Sequence, residues 1–224
     1  MSDGKLSLVA TPIGNLEDMT FRAVRTLQEA DLILCEDTRV TGVLLKHYDI
    51  SAKLMRYDAH ANERVHERIL SDLAEGKHIA LVSDAGTPGI SDPGVFLVQK
   101  AREAGQLIEV IPGPSAVTAA VSWAGISGNQ FAFLGFVPQK KGRETFFKNI
   151  EGYGLPVVFF ESTHRILKTI TSLQTEYPDV TVYVAREITK LYEEMLVGTP
   201  EELLTILESE PVRQKGEFVV VVEV

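Results

Sequence analysis

At 224 residues the chain is long enough for one large or two small domains, and with 45% hydrophobic residues it can bury a full core. A net charge of −9 argues against a protein that meets nucleic acid through a broad basic surface, and the single cysteine, Cys35, excludes an internal disulfide and gives no metal-ligand spacing. No apolar run approaches the roughly 20 residues of a membrane span, and the first residues lack a basic segment followed by a long apolar one, so a cytoplasmic protein with no membrane partner and no metal is expected.

Apolar strands alternate with helical spacings through the first half. Lys5 to Ala10 reads as a strand and ThrProIleGlyAsn, 11 to 15, as a tight turn. Thr20 is an N-cap signal for a helix carrying Phe21, Val24 and Leu27. Leu32 to Cys35 is a short strand, followed by Glu36-Asp37-Thr38-Arg39 and a helix around Val40 to His47. Lys53 to Tyr57 is a weaker strand. Asn62 then caps a helix with Val65, Ile69 and Leu73, stopped by Gly76.

Ile79 to Val82 is an apolar run of the kind buried on both faces of a parallel sheet. The loop behind it, Asp84 to Gly94, is longer than the usual ~2–6 residues between strand and helix, a length that favours function. Two prolines and three glycines fix its path and let backbone approach a ligand. It holds neither Lys nor Arg, so it is no Walker phosphate cradle, and there is no GxGxxG fingerprint. Its charges are Asp84 and Asp92. Such a bend suits a ligand with hydroxyls or positive charge: a ribose, an ammonium or a sulfonium. Asp92 is expected to cap the loop's own turns, and Asp84, at the carboxyl end of a strand, to serve the ligand.

A helix from Val95 to Ala104 and a strand from Leu107 to Ile111 complete five strand units. Pro112-Gly113-Pro114-Ser115 breaks the rhythm, with Ser115 placed to cap a helix from Ala116 to Ala124. The expectation is two tandem α/β domains, 1–112 with a parallel sheet and 113–224 with a mixed one, and a ligand cleft between them. In the second half, strands are expected at Phe131 to Phe136, Pro156 to Phe160, Thr181 to Ala185, Glu193 to Val197 and Phe218 to Val222. The last is uncharged and β-branched, so it must be interior. Thr199-Pro200-Glu201-Glu202 is a helix start with cap, proline and acids in order. Lys140, Lys141 and Arg143 form a basic loop.

LVATPIGNLED (8–18), CEDTR (35–39), HANE (60–63), SDAGTPGISDPG (83–94), IPGPSA (111–116), FLGFVPQKKGR (133–143), FFESTHRI (159–166), AREITKLYEE (185–194) and KGEFVVVVE (215–223) follow one another in this order. Together they resemble the tetrapyrrole-methylase family, and within it the branch that methylates small-subunit ribosomal RNA. The resemblance spans nearly the whole chain and rests most on SDAGTPGISDPG and IPGPSA. It implies S-adenosylmethionine as cofactor, a homodimer, and methyl transfer to the 2′-oxygen of a decoding-centre cytidine in 16S rRNA. By the family's binding pattern it places Pro12, Asp84, Ala85, Gly86, Ile90, Ser115, Ala116, Phe160, Ala185 and Gly216 at the cofactor.

A sulfonium agrees with the cation-free central loop. An RNA substrate stands in tension with the acidic balance, unless Arg22, Arg25, Arg39, Lys140, Lys141 and Arg143 form a local basic face. Glu36, Asp37, His60, Glu187 and Lys190 are candidates to assist the hydroxyl, with Glu187, Lys190 and Asp37 preferred as catalytic residues. The alternatives are a methylase for a tetrapyrrole or other small molecule, for which the basic loop is superfluous, and a non-catalytic module that binds an adenosine compound.

Overall fold

The apolar runs of the first half pair in parallel, as strands covered on both faces do. The protein is described by a computed structural model covering residues 4–92, 94–126 and 129–223; the loop's Pro93 lies outside the described residues. Strands β1 (Lys5–Val9), β2 (Leu32–Cys35), β3 (Leu54–Arg56), β4 (His78–Val82) and β5 (Leu107–Ile111) stand in the order β3-β2-β4-β1-β5. Every pairing between them is parallel.

Alternation along β4 sorts the layers. Ala80 and Val82 enter one core with Leu27 of α1 (Phe21–Glu29) and Leu44 and Leu45 of α2 (Thr38–His47). Ile79 and Leu81 enter the other with Ile69 and Leu73 of α3 (Glu63–Ala74) and Leu97 of α4 (Gly94–Glu103). The caps sit where the sequence puts them: Thr20 accepts from the Ala23 amide at 3.1 Å and Asn62 from that of Val65 at 3.2 Å.

The strand order fixes the place of a ligand. From β1 the chain runs toward the β3 edge, and from β4 it crosses to the β5 edge. Neighbours β1 and β4 are thus where the winding reverses, and ligands of open α/β sheets bind outside the carboxyl ends of such strands.

The second half builds a mixed sheet from β6 (Ala132–Phe136), β7 (Val157–Ser162), β8 (Thr181–Arg186), β9 (Glu194–Gly198) and β10 (Glu217–Glu223), in the order β6-β7-β10-β8-β9. β6 and β7 are parallel; the other pairings are antiparallel. β10 is central, with Phe218 to Val222 all buried, so its apolar run never meets an edge. One face carries α5 (Ala116–Ala124); the other carries α6 (Arg143–Lys148), α7 (Ile166–Glu176) and α8 (Pro200–Ser209). α8 opens with a capping box between Thr199 and Glu202. The chain divides into two compact units, Met1–Ser115 and Ala116–Val224, so that Pro112-Gly113-Pro114 belongs to the first. Among the described residues no helix is long and apolar enough to cross a membrane.

Candidate functional site

The long loop leaves β4 at Ser83 and is tied down at once. Thr11, just past β1, exchanges backbone hydrogen bonds with Gly86: Thr11 N–H to Gly86 O at 2.9 Å and Gly86 N–H to Thr11 O at 3.1 Å. The Thr11 hydroxyl donates to Ser83 O at 3.1 Å, and the Ser83 hydroxyl donates to Gly86 O at 3.1 Å. Farther on, the Thr87 hydroxyl donates to Pro114 O at 3.1 Å, joining the loop to the turn after β5. Gly86 has φ +81°, and a Cβ there would meet Ile13 Cγ2 at 3.3 Å. Pro12, Ala85, Gly86 and Ser115 are therefore gathered by the ends of three strands in the first unit, with exposed Ile90 farther along the loop.

Asp92 closes the loop on itself, accepting from the Gly89 amide at 2.6 Å and the Gly94 amide at 2.8 Å. That is the turn-capping role expected of it. Asp84 is exposed and accepts a hydrogen bond from the Asp37 amide at 3.1 Å, which links the ends of β4 and β2.

Carboxylates crowd this end of the sheet. Burial, reinforced by the charges of Asp84, Asp92 and Asp58, pushes the Glu36 carboxyl up from its ordinary value. Asp37 goes the other way. Hydrogen bonds from the Arg39 side chain and backbone amide hold it at about 2. Its oxygens accept from Arg39 Nη2 at 2.6 Å and from Arg39 N–H at 2.8 Å, so it caps α2 and remains an anion. Acidic groups beside glycine backbone, without a cation in the loop, fit a sulfonium and the hydroxyls of a ribose, and would repel a pyrophosphate. Among the described residues no cluster of ligating side chains suits a metal.

The second-unit candidates lie at the ends of its central strands. Phe160 of β7 is half-buried, its ring 5.0 Å from Phe133 and 5.1 Å from Phe136. Ala185 of β8 is fully buried in the core beneath α5, and Ala116 packs against that same core. Gly216 has φ +118°, and a Cβ there would strike Glu187 Cγ at 2.6 Å, so the turn before β10 admits only glycine. Its amide and carbonyl are both engaged with the Thr163 hydroxyl, at 2.9 and 2.6 Å.

Glu187 and Lys190 brace that turn. Glu187 accepts from the Glu217 amide at 2.8 Å and from Lys190 Nζ at 3.0 Å, while Lys190 also reaches Glu217 at 2.8 Å. Burial works against both charges. The Glu217 amide and Lys190 outweigh it for Glu187, whose pKa is lowered, and the two carboxylates outweigh it for Lys190, whose pKa is raised. At neutral pH the pair stays ionised, so neither is poised to take up a proton.

The basic residues divide. Arg22 and Arg25 are exposed on α1, Arg22 donating to Val110 O at 3.0 Å. Arg39 is exposed but neutralised by Asp37. Lys140 and Lys141 are exposed. Arg143 does not join them: it is 6% exposed, donates to the Thr169 hydroxyl at 2.7 Å and pairs with buried Glu161 at 3.4 Å. The sequence reading counted it among the RNA-facing cations; its charge is held in the interior by a partner 18 residues away. That reading also passed over Thr11, Ser83 and Thr87. The signal available was a hydroxyl residue at each strand end, which a loop needs if its carbonyls are to be held.

Residues 5–204 match the family described as tetrapyrrole (corrin/porphyrin) methylases. The chain belongs to the tetrapyrrole methylase family. Among its relatives in that family, a Halalkalibacterium halodurans protein is 46% identical over 221 residues, covering 98% of this chain and 76% of its own length. One from Thermotoga maritima is 44% identical over 218 residues, 97% of either chain, and one from Escherichia coli O157:H7 is 45% identical over 228 residues, 99% of this chain and 78% of its own. Each is named ribosomal RNA small subunit methyltransferase I. In fold, the tetrapyrrole methylase architecture is shared with a Thermus thermophilus uroporphyrin-III C-methyltransferase (TM-score 0.64, 21% identity, 97% of this chain and 94% of that one). It is shared too with a cobalt precorrin-4 methyltransferase (TM-score 0.70, 20% identity, 97% and 94%).

Proposed function

We propose that this chain is an S-adenosylmethionine-dependent methyltransferase that modifies small-subunit ribosomal RNA at the 2′-oxygen of a decoding-centre cytidine. The observation that carries the reading is the bend Ser83 to Gly86: cation-free, carrying Asp84 with Glu36 and Asp37 beside it, and pinned at the point where the winding of the sheet reverses. The identity of 44–46% over nearly the whole chain to relatives named for rRNA methylation supports the substrate. The exposed Lys140 and Lys141, with Arg22 and Arg25, supply local positive charge on a chain of net charge −9. We further propose that the chain works in the cytoplasm as a homodimer.

In this reading Pro12, Asp84, Ala85, Gly86, Ile90, Ser115 and Ala116 hold the cofactor, with Phe160, Ala185 and Gly216 as further contacts. The bound cofactor supplies an electrophilic methyl group on a positively charged sulfur. The protein's work is to hold a ribose hydroxyl opposite the departing sulfur, a geometry that by itself removes much of the barrier. Asp37, Glu187 and Lys190 act by charge and orientation rather than by proton transfer, because their surroundings keep the two acids ionised and the lysine protonated.

Incubation with methyl-labelled S-adenosylmethionine and intact small ribosomal subunits tests the reading. Label is expected in RNA and, after nuclease digestion, in 2′-O-methylcytidine. Label in a base or in ribosomal protein refutes the proposed target, and no label refutes the activity on rRNA. Sedimentation at micromolar concentration checks the dimer.

A further inference from the structure

β6 is an edge strand, and it carries a bulge. Phe133 pairs with Val158 and Phe136 with Phe160, so two residues of β6 stand against one of β7. Gly135 takes the left-handed φ, +67°, that such an insertion uses. Strict alternation would set Phe133 and Phe136 on opposite faces of the sheet. Phe136 would then share a face with Leu134, which packs against the core under α6, α7 and α8. The extra residue reverses this. Val137 enters that core, 1% exposed, while Phe136 turns to the face of Phe133 and Phe160 and stays 56% exposed. Bulges recur beside functional sites because they re-aim a side chain, and this one takes an aromatic ring out of a core and sets it in solvent.

The ring is mounted, not loose. Its centroid lies 5.1 Å from that of Phe160 at 57°, and Phe160 meets Phe133 at 5.0 Å and 66°. Such tilted pairs are the arrangement aromatic rings favour. Just past Phe136, the Val137 amide donates to Phe160 O at 3.3 Å, and Val137 O accepts from Arg165 Nη1 at 2.8 Å. Arg165 is anchored in turn by buried Glu161 at 2.7 Å. A surface ring fixed in this way gives up little freedom on meeting a partner.

The surroundings select the partner. From Val110 to Arg143 the sequence has no Asp or Glu, in a chain that holds 31 of them. Lys140 and Lys141 follow Phe136 closely; both are exposed, and among the described residues neither enters an ion pair. The next acid along the chain, Glu144, is taken by Lys148 at 2.5 Å. An apolar ring beside lysines, on an acid-free segment, suits a polyanion that carries flat apolar faces. Single-stranded RNA is such a ligand: its bases stack on aromatic side chains while cations follow its backbone. A positively charged sulfonium is disfavoured beside two lysines.

Resting on the rRNA reading, we propose that Phe136 is a stacking platform for one base of the substrate RNA, with Lys140 and Lys141 meeting the backbone of the same strand. The proposal adds to that reading a residue that holds RNA without charge.

The test measures binding of a short single-stranded oligoribonucleotide of small-subunit sequence to the full chain across a salt series. Phe136→Ala and Phe136→Leu should each lower affinity by about tenfold, and Phe136→Tyr should keep it. The slope of log affinity against log salt should be the same in all three, because a base stacks without displacing counterions. Lys141→Ala, by contrast, should make the slope shallower by about 0.7, the change for one lost phosphate contact on a single strand. In Phe136→Leu, calorimetric affinity for S-adenosylmethionine and the sedimentation coefficient should match wild type. Undiminished RNA affinity in Phe136→Leu, with small subunits still labelled by the wild-type protein, removes the platform and leaves the rRNA reading standing. A tyrosine variant as weak as the leucine one also removes it. Weaker cofactor binding in Phe136→Leu overturns the proposal because the ring then serves the cofactor, and altered sedimentation overturns it in favour of a contact between copies. Wild-type protein that neither labels subunits nor binds RNA brings down the rRNA reading and this proposal together.

Discussion

At Gly86 the backbone stands at φ +81°, a conformation that any side chain makes costly, and Ile13 Cγ2 waits 3.3 Å from where a Cβ would go. The residue also exchanges two hydrogen bonds with Thr11, so it cannot relax without opening the bend. Gly86→Ala should therefore destabilise the protein by about 1–3 kcal/mol, the usual cost of a non-glycine residue held in such a region. A lower denaturation midpoint at an unchanged m-value would show it; an unchanged midpoint would mean that the bend is loose. Asp84 is a different case: it is exposed, and its carboxylate accepts from the Asp37 amide at 3.1 Å. Asp84→Asn keeps an acceptor for that amide and deletes the charge. If the carboxylate attracts a sulfonium, Asp84→Asn and Asp84→Ala should both weaken S-adenosylmethionine binding by about tenfold or more, since hydrogen bonds to charged groups contribute roughly 1.5–3 kcal/mol. Calorimetry that finds wild-type affinity in both variants would remove Asp84 from the site.

At the scale of elements, strands were the most legible part of the sequence because burial on both faces writes itself as an unbroken apolar run. Ile79 to Val82 and Phe218 to Val222 read as interior strands, and β4 and β10 are flanked on both sides. The helix starts at Thr20, Asn62 and Thr199 were legible for an equally local reason, a side-chain oxygen set in front of a free amide. What stayed hidden depends on partners far along the chain. Nothing near Arg143 announces Glu161, and nothing near Glu187 announces the Gly216-Glu217 turn that it braces, 30 residues on. The ends of β2 and β4 show the same limit, for only pairing in the sheet brings Glu36 toward Asp84 and Asp92. That crowding yields a prediction about pH. With its pKa raised by burial and by like charges, Glu36 destabilises the fold when ionised, so the strain is present above its folded pKa and absent below the ordinary carboxylate range. Glu36→Gln should raise the melting temperature at neutral pH, by an amount that shrinks as the pH falls through that raised pKa, while cofactor affinity declines. Asp37 has the opposite sign: its lowered pKa supports the fold above the ordinary carboxylate range, and that support is lost as pH falls toward about 2. A melting temperature for Glu36→Gln no higher than wild type at pH 7 would show that the carboxylates are screened from one another.

For the molecule as a whole, the question is how a chain of net charge −9 meets a polyanion. The average field repels RNA at long range, so attraction must come from short-range contacts with a few cations. The structure narrows the six cations that the sequence offered for this role. Arg143 is buried and Arg39 is paired with Asp37, while Arg22, Arg25, Lys140 and Lys141 remain exposed. Each neutralised phosphate contributes about 0.7 to 0.9 to the slope of log affinity against log salt. Contacts from these four cations predict a slope of about −3 for the rRNA complex, far shallower than the roughly −10 of a protein with a broad basic face. Filter binding or anisotropy with small-subunit RNA, across a salt series from about 50 to 200 mM, measures it. A slope near −3 would mean that specificity rests on the shape of the assembled subunit and on a handful of placed cations, as expected when folded RNA is read by form. A slope near −8 or steeper would require basic residues beyond these four, such as the exposed Arg64 and Arg68, and would overturn the assignment of the RNA-facing groups.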